Sequence, residues 1–217
     1  MNFSLNQYLS LGIFLLIIFL GVPLIIILTG RWDFYFTLTS VALLAIASAG
    51  VWLTFYIGRI NIGQGAFALI GAYVSAILVV KVGWSFWVTP LAAGLFAGLV
   101  AFLIGLPILR VRGVYFAMIT LVLTQVVTLT ALALPITNGA KGISNIPLPS
   151  GISFLGFPII PDFGAMENTK IAFYYTACIL MILTYGTLYR LVNSRLGHLC
   201  RSMQQNEDLA SSIGVNI

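Results

Sequence analysis

The chain has 217 residues, of which 60% are hydrophobic and only 7% charged, with a net charge of +5. Soluble domains carry about 25% charged residues, and no soluble core of this length could hide so much apolar surface. Composition therefore leaves an all-α, polytopic transmembrane bundle as the fold class. The positive charge is small and scattered, with no basic run interleaved with aromatics, so the lipid bilayer and not nucleic acid is the expected partner.

Six apolar stretches follow one another: Leu11–Leu28, Phe36–Ile57, Ile62–Val80, Trp87–Leu109, Val114–Leu134 and Ile171–Tyr189. Each is near the roughly 20 residues a helix needs to cross hydrocarbon, and all ten basic and five acidic side chains lie outside them. The first run follows a segment without Lys or Arg and has no small-residue cleavage site after it, so it reads as a retained helix and not a signal peptide. Trp32, Trp84, Trp87, Tyr115, Tyr174 and Tyr175 fall near span ends, where interfacial aromatics belong.

With a cytoplasmic N-terminus, Arg59, Arg110, Arg112, Arg190, Arg195 and Arg201 lie inside, while Arg31, Lys81, Lys141 and Lys170 lie outside. That orientation has the better positive-inside bias. It makes residues 135–170, with Pro135, Pro147, Pro149, Pro158 and Pro161, an external loop, and residues 193–217 a cytoplasmic segment. The loop contains the apolar run Ile152–Ile160 and is expected to pack on the outer membrane face. Cys178 in the last span and Cys200 beyond it sit at different depths, so both are expected to be free thiols. His198 has no second ligand nearby and reads as a solvated side chain.

Three constellations could carry transport. At the start of the third span, Asn61 and Gln64 bring amides to the membrane edge, and Gly63, Gly65 and Gly71 permit either close helix contact or freed backbone along a water-filled route. In the fifth span Thr120, Thr124 and Thr128 form one stripe with Gln125 beside it; such threonines either bond their own helix carbonyls or line a mildly polar path. The fourth span carries Gly94, Gly98, Ala93, Ala97 and Ala101, a small-residue face for helix packing. After the last span, Leu199, Met203, Ala210 and Ile213 follow helical spacing, with Asn206 interrupting the face. They predict a short amphipathic helix whose apolar side needs a lipid surface or a protein groove. No nucleophile–base pair, metal-ligand spacing or phosphate-binding glycine loop is present, so an enzyme reading does not survive.

The blocks Ile62-Gly-Gln-Gly-Ala-Phe-Ala-Leu-Ile-Gly-Ala-Tyr73, Leu109-Arg-Val-Arg-Gly-Val-Tyr-Phe-Ala-Met-Ile-Thr-Leu121, Thr137-Asn-Gly-Ala-Lys-Gly-Ile143 and Ser194-Arg-Leu-Gly followed by Asn206-Glu and Gly214-Val-Asn216 resemble, in order and spacing over roughly residues 40–217, the permease subunits of branched-chain amino acid ABC importers of the LivM type. The resemblance implies a single permease domain with a second homologous permease, two ATP-binding subunits carrying ATP and magnesium, and an external solute-binding protein. The chain itself needs no cofactor or metal. By the same resemblance, Asp208 to Gly214 occupy the loop that contacts the ATPase; taken with the helix-spaced Leu199 and Met203, this gives Leu199, Met203, Glu207, Asp208, Ala210 and Gly214 an expected coupling role. Family members continue past this loop with several more spans, so the resemblance implies a chain lacking its C-terminal spans. The residues leave open a stand-alone channel, a sodium-coupled carrier using backbone carbonyls or an inactive scaffold, and urea or short amides as substrates.

Overall fold

The computed structural model describes residues 18, 21–111, 113–154, 157–160, 162–164 and 168–205. Their order is α1 (Val22–Thr29), α2 (Asp33–Tyr56), α3 (Gln64–Ile77) continued by a π-helical turn (Leu78–Val82), α4 (Thr89–Ile108), α5 (Val114–Ala133), two short 3-10 turns, β1 (Ile152–Phe154), β2 (Phe157–Ile160), α6 (Thr169–Val192) and α7 (Arg195–Gln205). Among the described residues five helices are long and apolar enough to cross a membrane: α2, α3 with its π turn, α4, α5 and α6. They match the second to sixth expected spans to within about one helical turn. Most of the first expected span lies outside the described residues; its last part is α1.

Leu95 is 78% exposed and Leu91 and Val114 are each 72% exposed, a surface that lipid or neighbouring apolar helices would cover without cost. Inside a bilayer each helix must satisfy its own backbone polar groups. The side chains follow suit, with Thr39, Ser40, Thr176 and Thr184 each donating to the carbonyl four residues earlier.

The described residues fall into two compact units. One comprises those up to Ile46 with 168–184. Its core is Ile26, Tyr35, Tyr174 and Cys178, with Tyr35 and Tyr174 edge to face at 5.5 Å. Tyr174 donates to the Ile18 carbonyl (2.8 Å). The buried Tyr35 hydroxyl has no partner among the described residues, a cost of about 1–3 kcal/mol that the ring packing must offset.

The other unit comprises 47–164 and 185–205. Here α3 packs against both α4 and α5. The small-residue face expected on α4 divides: Ala93 is buried and Ala97 meets Gly71, whereas Gly94 and Gly98 are exposed, with open space where a side chain would begin. The apolar run Ile152–Ile160, expected as packed loop, contains a two-stranded antiparallel hairpin with an irregularity between Ile152 and Ser153. Its flanks are tied to the helices. Lys81 donates to the Ile136 carbonyl (2.7 Å), Trp87 Nε1 donates to the Ser150 carbonyl (2.8 Å), and Trp87 meets the buried Phe163 edge to face at 5.8 Å. Thr137 closes the end of α5 by donating to the carbonyls of Ala131 and Leu134.

Candidate functional site

The α3–α5 contact gathers most of the expected pathway residues. Asn61 Oδ1 accepts from the Gly63 amide (2.8 Å), and the Ile62 amide donates to Thr120 Oγ1 (3.1 Å), so the strand of chain leading into α3 is bonded to α5. Gly63 is buried here, and a side-chain carbon on it would meet Asn61 Oδ1 at 3.1 Å, the Thr120 carbonyl at 3.2 Å and Thr120 Cβ at 3.3 Å. Two residues on, Gly65 faces the Thr124 methyl, 3.5 Å from where its Cβ would stand. Gly63 is thus required by the close approach, whereas a Cβ at Gly65 would make only an ordinary contact.

The threonine stripe bonds its own helix. Thr120 donates to Ala117, Thr124 to Thr120 and Thr128 to Thr124. Their protons are committed, so what they offer a passing solute is acceptor lone pairs and methyl groups. Gln64 packs instead over Gly50 of α2, whose Cβ would lie 3.1 Å from Gln64 Oε1. Gln125 is exposed and takes no part in the Gly63 contact.

Asn61, Thr120 and Thr54 border a cavity of about 250 Å³, otherwise lined by apolar side chains including Phe67, Ile104 and Phe116, with Arg59 at its edge. It is smaller than the roughly 300–1,000 Å³ pockets that bury drug-sized ligands. Its one fixed charge is engaged. Arg59 Nη1 donates to the carbonyls of Leu109 (3.3 Å) and Val111, just past the end of α4, and its guanidinium lies 5.7 Å from the Phe116 ring centre. A cation bonding the last carbonyls of a helix also meets the negative end of its dipole. In the sequence Arg59 marks only orientation; the carbonyls it meets lie about 50 residues away, and no local pattern signals them.

Part of the amphipathic helix expected after the last span is described as α7; Ala210 and Ile213 of its expected face lie outside the described residues. Ser194 caps it, accepting from the Gly197 amide (3.4 Å), and its far end lies on the turn after α2. Gln204 Nε2 donates to the Phe55 carbonyl (3.3 Å), and Gly58, at φ +89°, sits so close that a Cβ would come within 3.3 Å of Gln204 Cα. Leu196 and Leu199 are exposed, at 63% and 43%, three residues apart and so on one side of the helix. His198 is exposed too, and Cys178 and Cys200 are free thiols. Met203 lies in α7. Glu207, Asp208, Ala210 and Gly214 lie outside the described residues. No cluster of three or more His, Cys, Asp or Glu occurs among the described residues.

Helices of membrane length with charge confined to their ends define a multi-pass membrane protein. The family model for the branched-chain amino acid transport system permease component matches residues 34–217, and the chain belongs to that family. It is 33% identical over 172 residues to the high-affinity branched-chain amino acid transport system permease protein LivM of Escherichia coli (strain K12), and 32% identical to the same-named protein of Salmonella typhimurium. Each match covers 73% of this chain and 40% of the relative, so the chain spans well under half the length of these curated proteins. No solved structure matches it. The family is one of transport permeases and not of enzymes.

Proposed function

We propose that the chain serves as a permease subunit of a binding-protein-dependent ABC importer for branched-chain or related amino acids, in the cytoplasmic membrane of a prokaryote. A second homologous permease, two ATP-binding subunits holding ATP and magnesium, and an external solute-binding protein complete the assembly. The observation that carries this reading is the placement of charge. In the described spans, Asp, Glu, Lys and Arg occur only in terminal turns and His not at all, so the ionisable relay on which proton-driven carriers depend is missing there. In this reading energy enters through a partner, and α7 offers one an exposed apolar face. A zwitterionic amino acid meets no fixed charge along such spans, which assigns tight recognition to a soluble receptor and leaves the membrane path weakly selective.

Coupling through α7 is tested by changing Leu196→Asp and Leu199→Asp together in protein coexpressed with its ATP-binding subunits. The pair puts two charges on the exposed face without entering a span. Membrane insertion is expected to persist while the ATP-binding subunits no longer copurify; undiminished copurification rejects a coupling role for this face.

Sidedness follows from Arg59, Arg110, Arg190, Arg195 and Arg201, which gather at the α7 end of their unit, opposite Lys81 and Lys141. In intact cells Cys200 is expected to resist a membrane-impermeant thiol reagent and to react after lysis. Labelling before lysis inverts the topology.

A further inference from the structure

The turn joining α1 to α2 bears an apolar groove. Val22, Ile25 and Ile26 of α1 and Phe34 and Leu38 of α2 form the floor of a groove of about 370 Å³, with Thr29 on its rim and Arg31 at its mouth. From Arg31 to Leu38 the groove descends about 10 Å at the helical rise per residue, well into one leaflet of a hydrocarbon core about 30 Å thick. Trp32, 36% exposed beside Arg31, is the residue type that sits at headgroup level.

Charge fixes the occupant. Asp33 is the nearest acid in sequence, and it is bonded to Lys170 at 3.0 Å. Arg31 instead holds its guanidinium 4.4 Å above the Phe34 ring, and no carboxylate among the described residues pairs with it. Arg31, Asp33 and Lys170 together carry one net positive charge, placed over an apolar groove. Thr29 donates its proton to Ile25 or Ile26 of its own helix, so the donors at the mouth are those of Arg31. A planar fork of N–H donors suits a phosphate diester.

We propose that this groove binds an anionic phospholipid, one acyl chain lying between α1 and α2 and the headgroup phosphate bonded to Arg31. A zwitterionic lipid shares the phosphate and the chains but brings a cation toward Arg31 and Lys170, so the site selects net negative headgroups.

The test is native mass spectrometry of the purified chain released from mixed micelles containing equal phosphatidylglycerol and phosphatidylcholine. Preferential retention of phosphatidylglycerol is expected. Arg31→Gln should reduce that preference about tenfold, the equivalent of one charge-assisted hydrogen bond, and Arg31→Lys should retain part of it. A second variant, Leu38→Trp, fills the groove and should lower retention of both lipids while leaving Arg31 in place. Equal retention of the two lipids by the unaltered protein, or an Arg31→Gln preference like that of the parent, overturns the proposal. So does displacement of the lipid by millimolar glycerol 1-phosphate, which would mark a phosphate site that makes no use of the groove.

Discussion

Replacing Gly197 with alanine is expected to detach α7 from the turn after α2. Only Asn193 and Ser194 separate α6 from α7. The reversal is so tight that a Cβ at position 197 would overlap the Val192 carbonyl oxygen and come within 2.6 Å of the Leu191 carbonyl. Both obstacles are backbone, so no rotamer change relieves them, and the turn itself has to open. Opening it moves Ser194 off the Gly197 amide and draws Gln204 away from Phe55. Overpacking of this kind costs about 1–3 kcal/mol where it cannot relax, enough to populate a displaced α7. The measurement is the rate at which half-buried Cys200 reacts with a thiol reagent in lysed membranes. A several-fold faster reaction in Gly197→Ala is expected, with the spans still inserted, and an unchanged rate would show that the turn absorbs the methyl group.

The spans were legible in the sequence because charge marks their ends: Asp33, Lys81, Lys170 and Arg190 all fall within a turn of a helix terminus. How the spans meet was much less legible. In water the apolar stripe of a helix names its buried face; in lipid both the packed and the exposed faces are apolar, and the pattern loses that meaning. Gly94 and Gly98 illustrate this. They read as a packing face, yet the contact runs through Ala93 and Ala97 on the same helix. The hairpin at Ile152–Ile160 was hidden for a different reason: Pro158 and a register irregularity interrupt the alternation that would announce strands. Arg59 and Gly197 act through contacts with carbonyls far away in sequence or across a tight turn, and no local pattern encodes such contacts.

Gly63→Val separates the packing role of the α3 start from its use as a route. A Cβ at Gly63 already stands 3.1–3.3 Å from Asn61 Oδ1 and two atoms of Thr120, and valine adds two methyl groups fixed by β-branching. Thr120 cannot swing aside freely, since its hydroxyl is held by Ala117 and by the Ile62 amide. The strain is expected to push α5 away from the chain before α3, break the Ile62–Thr120 bond and cost about 1–3 kcal/mol. Gly63→Ala should show a smaller loss in the same direction. Thermal unfolding in detergent measures it, with Gly71→Ala as the control, because a Cβ at Gly71 would only touch Ala97 at 4.0 Å. If Gly63→Val unfolds at the same temperature as the control, the α3–α5 contact is looser than its geometry states. In that case the glycines are better explained by a route between the two helices than by their packing.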